Sequence, residues 1–147
     1  MWQTVMTSGD SGRSQVGDES IAISGHGGLS EVEDQGIAIV GCNGQARSFN
    51  SGFSIGGYQS LAVSKDWAMS IADNGGHAKT GKHSLALADI GATVEAGEES
   101  IIAIRTLDDK GRSRLVVGYI GECGLRPHVR YTLDESNNFI PVGLPGN

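Results

Sequence analysis

Residues 20–27 read SIAISGHG, residues 36–43 GIAIVGCN, residues 52–59 GFSIGGYQ, residues 68–75 AMSIADNG and residues 84–91 SLALADIG. These five stretches are spaced by sixteen residues and share one grammar. A small residue comes first, then large apolar and small residues alternate, then a short polar turn. The blocks between them, such as GRSQVGDE at 12–19, GQARSFNS at 44–51 and GHAKTGKH at 76–83, keep the small positions and replace the large apolar ones with mostly polar residues. Counted in eights from Thr4, the chain runs to Leu107 with no insertion or deletion. A period held over that length is the signature of a repeat architecture.

Within each octad, position three is small (Ala22, Ser30, Ala38, Ala46, Ser54, Ala62, Ser70, Ala78, Ala86) and position five is mostly small. Position six is often glycine, as at Gly9, Gly17, Gly25, Gly41, Gly57, Gly81 and Gly97. The octad reads as a five-residue strand and a three-residue turn, with that glycine supplying the positive φ of a sharp corner. Side chains alternate across a strand, so positions one, three and five share a face. The face that is small in every block belongs in a thin interior between two closely stacked sheets.

Positions two and four then point outward. In alternate octads they are apolar: Ile21 and Ile23, Ile37 and Ile39, Phe53 and Ile55, Met69 and Ile71, Leu85 and Leu87. Leu61 and Val63 are apolar out of turn. The fold class expected is an all-β parallel solenoid of about 16-residue coils, two strands per coil, closed by a C-terminal β-hairpin cap. One outer face carries a greasy row, which a soluble monomer rarely exposes. These ten side chains are therefore expected to form the interface of a homo-oligomer, most simply a two-fold dimer. The alternative places them inside a wider coil, through a change of strand parity at bulges.

The interior positions enlarge at Val94, Ile102 and Ile104, and the repeat fades after Ser100. Two hairpins are expected there: residues 101–106 with 114–120 around the turn 108–111, and 131–133 with 139–142 around 134–138. The division expected is a solenoid over 1–104 and a β cap over 105–147 with its own small core, holding Tyr119, Tyr131 and Phe139. The repeat begins almost at Met1, which suggests a piece of a longer array or a first coil shielded by oligomerisation.

Composition narrows the function classes. The chain has 147 residues, 23 of them glycine, with aromatics at 5% and charged residues at 19%. The formal net charge of −6 argues against direct nucleic-acid binding, which needs clustered Lys and Arg. No apolar run approaches the length of a membrane span, and Met1-Trp2-Gln3-Thr4 opens no signal peptide. A soluble protein of the host cytoplasm is expected. Cys42 and Cys123 have neither a redox nor a zinc spacing.

The blocks and the ending at 84–87, 117–119 and 125–135 (SLAL, VGY and LRPHVRYTLDE) resemble the octapeptide-repeat solenoids of phage and prophage proteins. More weakly, SIAIS and SLALA resemble the heads of trimeric autotransporter adhesins. The first resemblance covers most of the chain and implies a phage setting without assigning an activity. The chain departs from that family's Thr- and Ala-rich pattern where Ile and Leu occupy positions two and four.

Candidate chemistry is sparse. His77 and His83 invite comparison with solenoid acyltransferases, but the octad is not their hexapeptide period and no partner acid is evident. The two fall on different parts of a coil, so they do not form a metal pair either. The glycine-rich stretch 52–57 lacks the lysine and helix of a phosphate cradle. No catalytic, cofactor or metal site is assigned. One corner of the rod gathers Asp18, Glu19, Glu33, Asp34, Asp66, Glu98 and Glu99, with Lys82 among them, and the exposed Trp67. Either this ridge is a solvated edge that resists aggregation, or it is a partner-binding surface with Trp67 as its anchor. The reading the sequence favours is a non-catalytic binding protein of the phage type. It would inhibit a bacterial defence complex, as anti-CRISPR proteins do, by covering a surface or by acting as an acidic decoy. The alternatives are a virion or appendage component and a solenoid acyltransferase.

Overall fold

The computed structural model describes residues 4–143 and is all β. The reading of Met1-Trp2-Gln3 and the outer ends of both expected units lie outside the described residues. Among the described residues sixteen strands form two sheets, and the first thirteen alternate between them. The first sheet holds β1 (Val5–Ser8), β3 (Ile21–Ser24), β5 (Ile37–Val40), β7 (Phe53–Gly56), β9 (Met69–Ala72), β11 (Leu85–Ala88), β13 (Ile101–Leu107) and β14 (Ser113–Tyr119). The second holds β2 (Arg13–Val16), β4 (Leu29–Val32), β6 (Gln45–Arg47), β8 (Leu61–Val63), β10 (His77–Lys79), β12 (Thr93–Glu95), β15 (Tyr131–Leu133) and β16 (Phe139–Pro141). Pairing through β13 in the first sheet and β12 in the second is parallel and in a register of sixteen, as in Ile21 opposite Ile37 and His77 opposite Thr93. The chain is a β-solenoid of about 6 turns.

Strand parity follows the octad. Ala22, Ala38, Ala46, Ala62, Ala78 and Ala86 are fully buried, as are Ser14, Ser30, Ser54 and Ser70. The interior serines work as hydrogen-bonding groups as well as small spacers. Ser14, Ser30, Ser54 and Ser70 each reach across to the opposite sheet, to the carbonyls of Ile23, Ile39, Val63 and Lys79 at 2.9, 2.6, 2.7 and 2.7 Å. Serines at position one tie coil to coil. Ser84 Oγ donates to the Lys82 carbonyl at 2.7 Å and accepts from the Ala68 amide at 3.1 Å. A buried hydroxyl without such partners would cost about 1–3 kcal/mol.

The corners differ from the sequence expectation. The left-handed residue is position eight of each of the first twelve octads: Ser11, Glu19, Gly27, Gln35, Asn43, Ser51, Gln59, Trp67, Gly75, His83, Gly91 and Glu99. Nine of these twelve are not glycine, and each such residue costs about 1–2 kcal/mol in that conformation. The stack holds them there. The position-eight amide points along the rod and donates to the carbonyl one coil on, as Glu19 does to Asp34, Trp67 to Lys82 and His83 to Glu98.

Glycine at position six has a different cause. None of those glycines has a positive φ; at Gly25, Gly41, Gly57, Gly81 and Gly97 the coil below leaves no room for a side chain, whereas Gly9 and Gly17 have nothing within 4 Å. A Cβ on Gly97 would lie 2.7 Å from the Gly81 carbonyl carbon, and one on Gly57 3.1 Å from that of Gly41. On Gly25 and Gly81 it would strike the carboxylates of Asp10 and Asp66.

Both expected hairpins form, and each completes a sheet. β13 is parallel to β11 on one side and antiparallel to β14 on the other. β15 meets β12 at Val94 opposite Tyr131 and pairs with β16. The expected boundary after residue 104 therefore falls inside β13, and the core runs without a break from Ala72 through Ile102 and Ile104 to Leu125 and Tyr131. Tyr131 and Phe139 meet edge to face at 6.4 Å, but Tyr119 leaves this core and stands outside, 51% exposed.

The two explanations for position-six glycine predict different variants. Gly97→Ala is expected to destabilise by about 1–3 kcal/mol, because the coils must separate. Gly17→Ala, where nothing lies within 4 Å of the added atom, is expected to be neutral or slightly stabilising. Chemical denaturation of both variants checks this; equal losses would restore the conformational explanation.

Candidate binding surfaces

Register turns two octad positions into two columns on the outer face of the first sheet. Position two gives Val5, Ile21, Ile37, Phe53, Met69, Leu85, Ile101 and, through the hairpin, Tyr119. Position four gives Thr7, Ile23, Ile39, Ile55, Ile71, Leu87, Ala103 and Val117. The ten side chains expected from sequence are its centre. They point outward; most are half-buried by their neighbours along the column, and Phe53 is 43% exposed. The sequence reading missed Val5, Ile101, Leu115, Val117 and Tyr119, all exposed, which carry the face onto its first and last strands. Val5 and Ile101 were visible at position two of their octads. The β14 residues were not, because a hairpin return has no octad phase. A shallow groove of about 500 Å³ runs over Ile55, Ile71, Leu87 and Leu115, rimmed by Asp73, Asp89 and Arg105. Arg105 grips Asp89 through two bonds of 2.6 and 3.0 Å, and this hydrogen bonding holds the Asp89 carboxyl below its ordinary value.

The corner that follows each second-sheet strand collects the predicted partner residues. Asp18, Glu19, Asp34, Asp66, Trp67, Glu98 and Glu99 occupy its turn positions, with Glu33 one step toward the second sheet. Asn50 and Ser51, then Lys82 and His83, interrupt the acidic run. Several of these groups already hold the stack together. Asp18 accepts from the Asp34 amide at 3.0 Å, Asp34 from that of Asn50 at 3.0 Å and Asp66 from that of Lys82 at 2.8 Å. Glu99 lies 3.1 Å from His83 and Glu98 3.6 Å from His128. Trp67 is 67% exposed and stacks on the His83 ring at 4.3 Å. The sequence did not foretell this stack, although a sixteen-residue spacing at one octad position is its signal.

His77 stands apart from His83, on the outer face of the second sheet. Its Nδ1 is 2.7 Å from Thr93 Oγ1, and its Nε2 is 3.4 Å from Glu95 without forming a hydrogen bond. Burial, with Arg130 acting in the same direction, holds the imidazole below its usual 6.5 against the opposite pull of Glu95. Both cysteines are exposed and unpaired. Among the described residues no three His, Cys, Asp or Glu side chains gather as a metal site, and no helix is long and apolar enough to cross a membrane. No family model, curated protein or solved structure matches the chain.

The depressed His77 value sets a pH window. The unfolded ring takes up its proton near 6.5 and the folded ring does so only at lower pH, so in between the unfolded chain binds the extra proton. Stability against unfolding is expected to fall as pH is lowered through the unfolded value near 6.5, and less steeply in His77→Gln. The carboxylates of Asp89, Asp108 and Asp134, held low by their hydrogen bonds, withdraw their contribution only below their ordinary 3.8. Urea titrations at a series of pH values separate the two windows; identical slopes near pH 6 in both proteins would refute the assignment.

Proposed function

We propose that the protein is a non-catalytic binding protein that works as a two-fold dimer, with the apolar outer faces of the first sheet packed together. The observation that carries this is the pair of apolar columns. Eight strands at about 4.8 Å make a face roughly 34 Å long. Sixteen outward positions over that length, with the rim of the groove, approach the roughly 20–30 residues that one side of a standard interface uses. A two-fold axis would set this face against the same face of a second copy, the isologous arrangement, and two such sheets pack with strands about 30° apart.

The target fits the phage resemblance: a host protein complex, for which inhibition of a bacterial defence machine is the leading use. Covering a surface accounts for the corner better than an acidic decoy. The acidic run is broken twice, and Asp18, Asp34 and Asp66 are spent on neighbouring amides. Trp67 is the natural anchor, a large rigid aromatic held in place by His83.

Light scattering of the wild-type chain is expected to give twice the monomer mass, and Ile23→Glu with Ile55→Glu to give a folded monomer. A monomeric wild type would remove the dimer. In affinity capture from a bacterial lysate, Trp67→Ala is expected to weaken recovery of the bound complex at least about tenfold, a loss of about 1.4 kcal/mol or more, without altering the dimer. Unchanged recovery would remove the corner from the interface.

A further inference from the structure

The second sheet's outer face has a feature that neither assembly nor folding explains. Val63 pairs in register with Arg47 on one side and Lys79 on the other. A short side chain thus sits between two long cations whose backbones are about 9.6 Å apart, two strand spacings. The result is a cavity of about 410 Å³ with Leu61 and Val63 as its apolar floor and Phe49 as one wall. Lys65 closes that side, its ammonium 4.3 Å from the Phe49 ring centre. Arg130 arrives from the segment before β15, close enough for its charge to act on His77.

Four cations therefore line one notch against a single lining carboxylate, Glu31, in a chain of net charge −6. Lys79 has an acidic partner, Glu95, at 3.3 Å. Arg47, Lys65 and Arg130 form no ion pair among the described residues; Arg47 instead donates to Gln45 at 2.7 Å. Like charges gathered around a gap repel one another, and only Lys79, with Glu95, and Lys65, on the Phe49 ring, have local partners to offset this. An anion seated in the gap would relieve the repulsion and make charge-assisted bonds. The floor and the aromatic wall call for an apolar body on that anion, and the volume falls in the usual range for small-molecule sites.

We infer that the outer face of the second sheet carries a binding notch for a small organic anion, a flat apolar body bearing a carboxylate or phosphate, held by Arg47, Lys65, Lys79 and Arg130 over Leu61, Val63 and Phe49. This site is independent of the dimer face, which lies on the other sheet.

Calorimetric titration of the full chain with phenyl phosphate and with benzoate tests it, and the tighter of the two identifies the acid. Saturable one-to-one binding is expected for at least one. Inorganic phosphate, which lacks the apolar body, and benzyl alcohol, which lacks the charge, are expected to bind at least about tenfold more weakly. Arg47→Ala, Arg130→Ala and Phe49→Ala are each expected to weaken binding about tenfold, whereas Arg112→Ala, on the distant β13–β14 hairpin, leaves it unchanged. The three notch residues lie on the outer surface, so thermal unfolding should show that these variants stay folded. Two results would overturn the proposal: no saturation by either ring-bearing acid up to about 10 mM, or affinity unaltered in the Arg47→Ala, Arg130→Ala double variant.

Discussion

Everything in this molecule depends on each coil lying directly over the one before it, sixteen residues on. That register places a backbone amide beneath a carbonyl at most corners, as with Ser11 under His26, Trp67 under Lys82 and His83 under Glu98. Without the coil above, nine non-glycine residues would have no reason to remain left-handed. With it, eight of the nine unfavourable backbone conformations are coupled to a hydrogen bond that the same conformation aims, Glu99 being the exception. The interior obeys the same constraint. The interior is mostly Ala and Ser, with a few valines such as Val32 and Val40, which lets two sheets approach closely, and the serines then become the groups that join one sheet to the other.

Stacking in register also amplifies composition. A preference at one octad position becomes a property of a whole face, because each residue has its counterparts above and below it. Isoleucine at positions two and four of alternate octads yields a continuous apolar surface from Val5 to Tyr119. The same positions on the other sheet vary from Arg47 through Val63 to Lys79, so that face is locally distinct along its length. The thin core is indifferent to what projects from it. Outward positions are therefore free to vary coil by coil without a change of fold, which is how a repetitive rod acquires a non-repetitive surface.

What could be read from the sequence follows this division. The period, the strand parity and the two hairpins were legible because alternation and turn chemistry are local signals. The central ten residues of the apolar face were legible for the same reason. The role of glycine at position six was misread, since a requirement for space imposed by the coil below looks, in sequence, like a requirement for positive φ. The staples made by Asp18, Asp34 and Asp66 were read as free surface charge, because a carboxylate that bonds to an amide sixteen residues away carries no nearby mark. The cationic notch was out of reach. Arg130 joins Arg47 and Lys79 only because the cap folds back against the side of the rod.

The division between the sheets also bears on how the proposed activities coexist. An interface on the first sheet leaves the outer face of the second entirely open, since the two faces point in opposite directions from one thin core. A dimer built this way would present two copies of the second-sheet face on its two outer sides, and two Trp67 corners along its edges. Such a particle meets a repeated or symmetric target with both copies, and linked binding events strengthen attachment without any new contact. A rigid rod suits that arrangement because its stacked corners fix the distance between the copies, so little ordering entropy is lost on engagement.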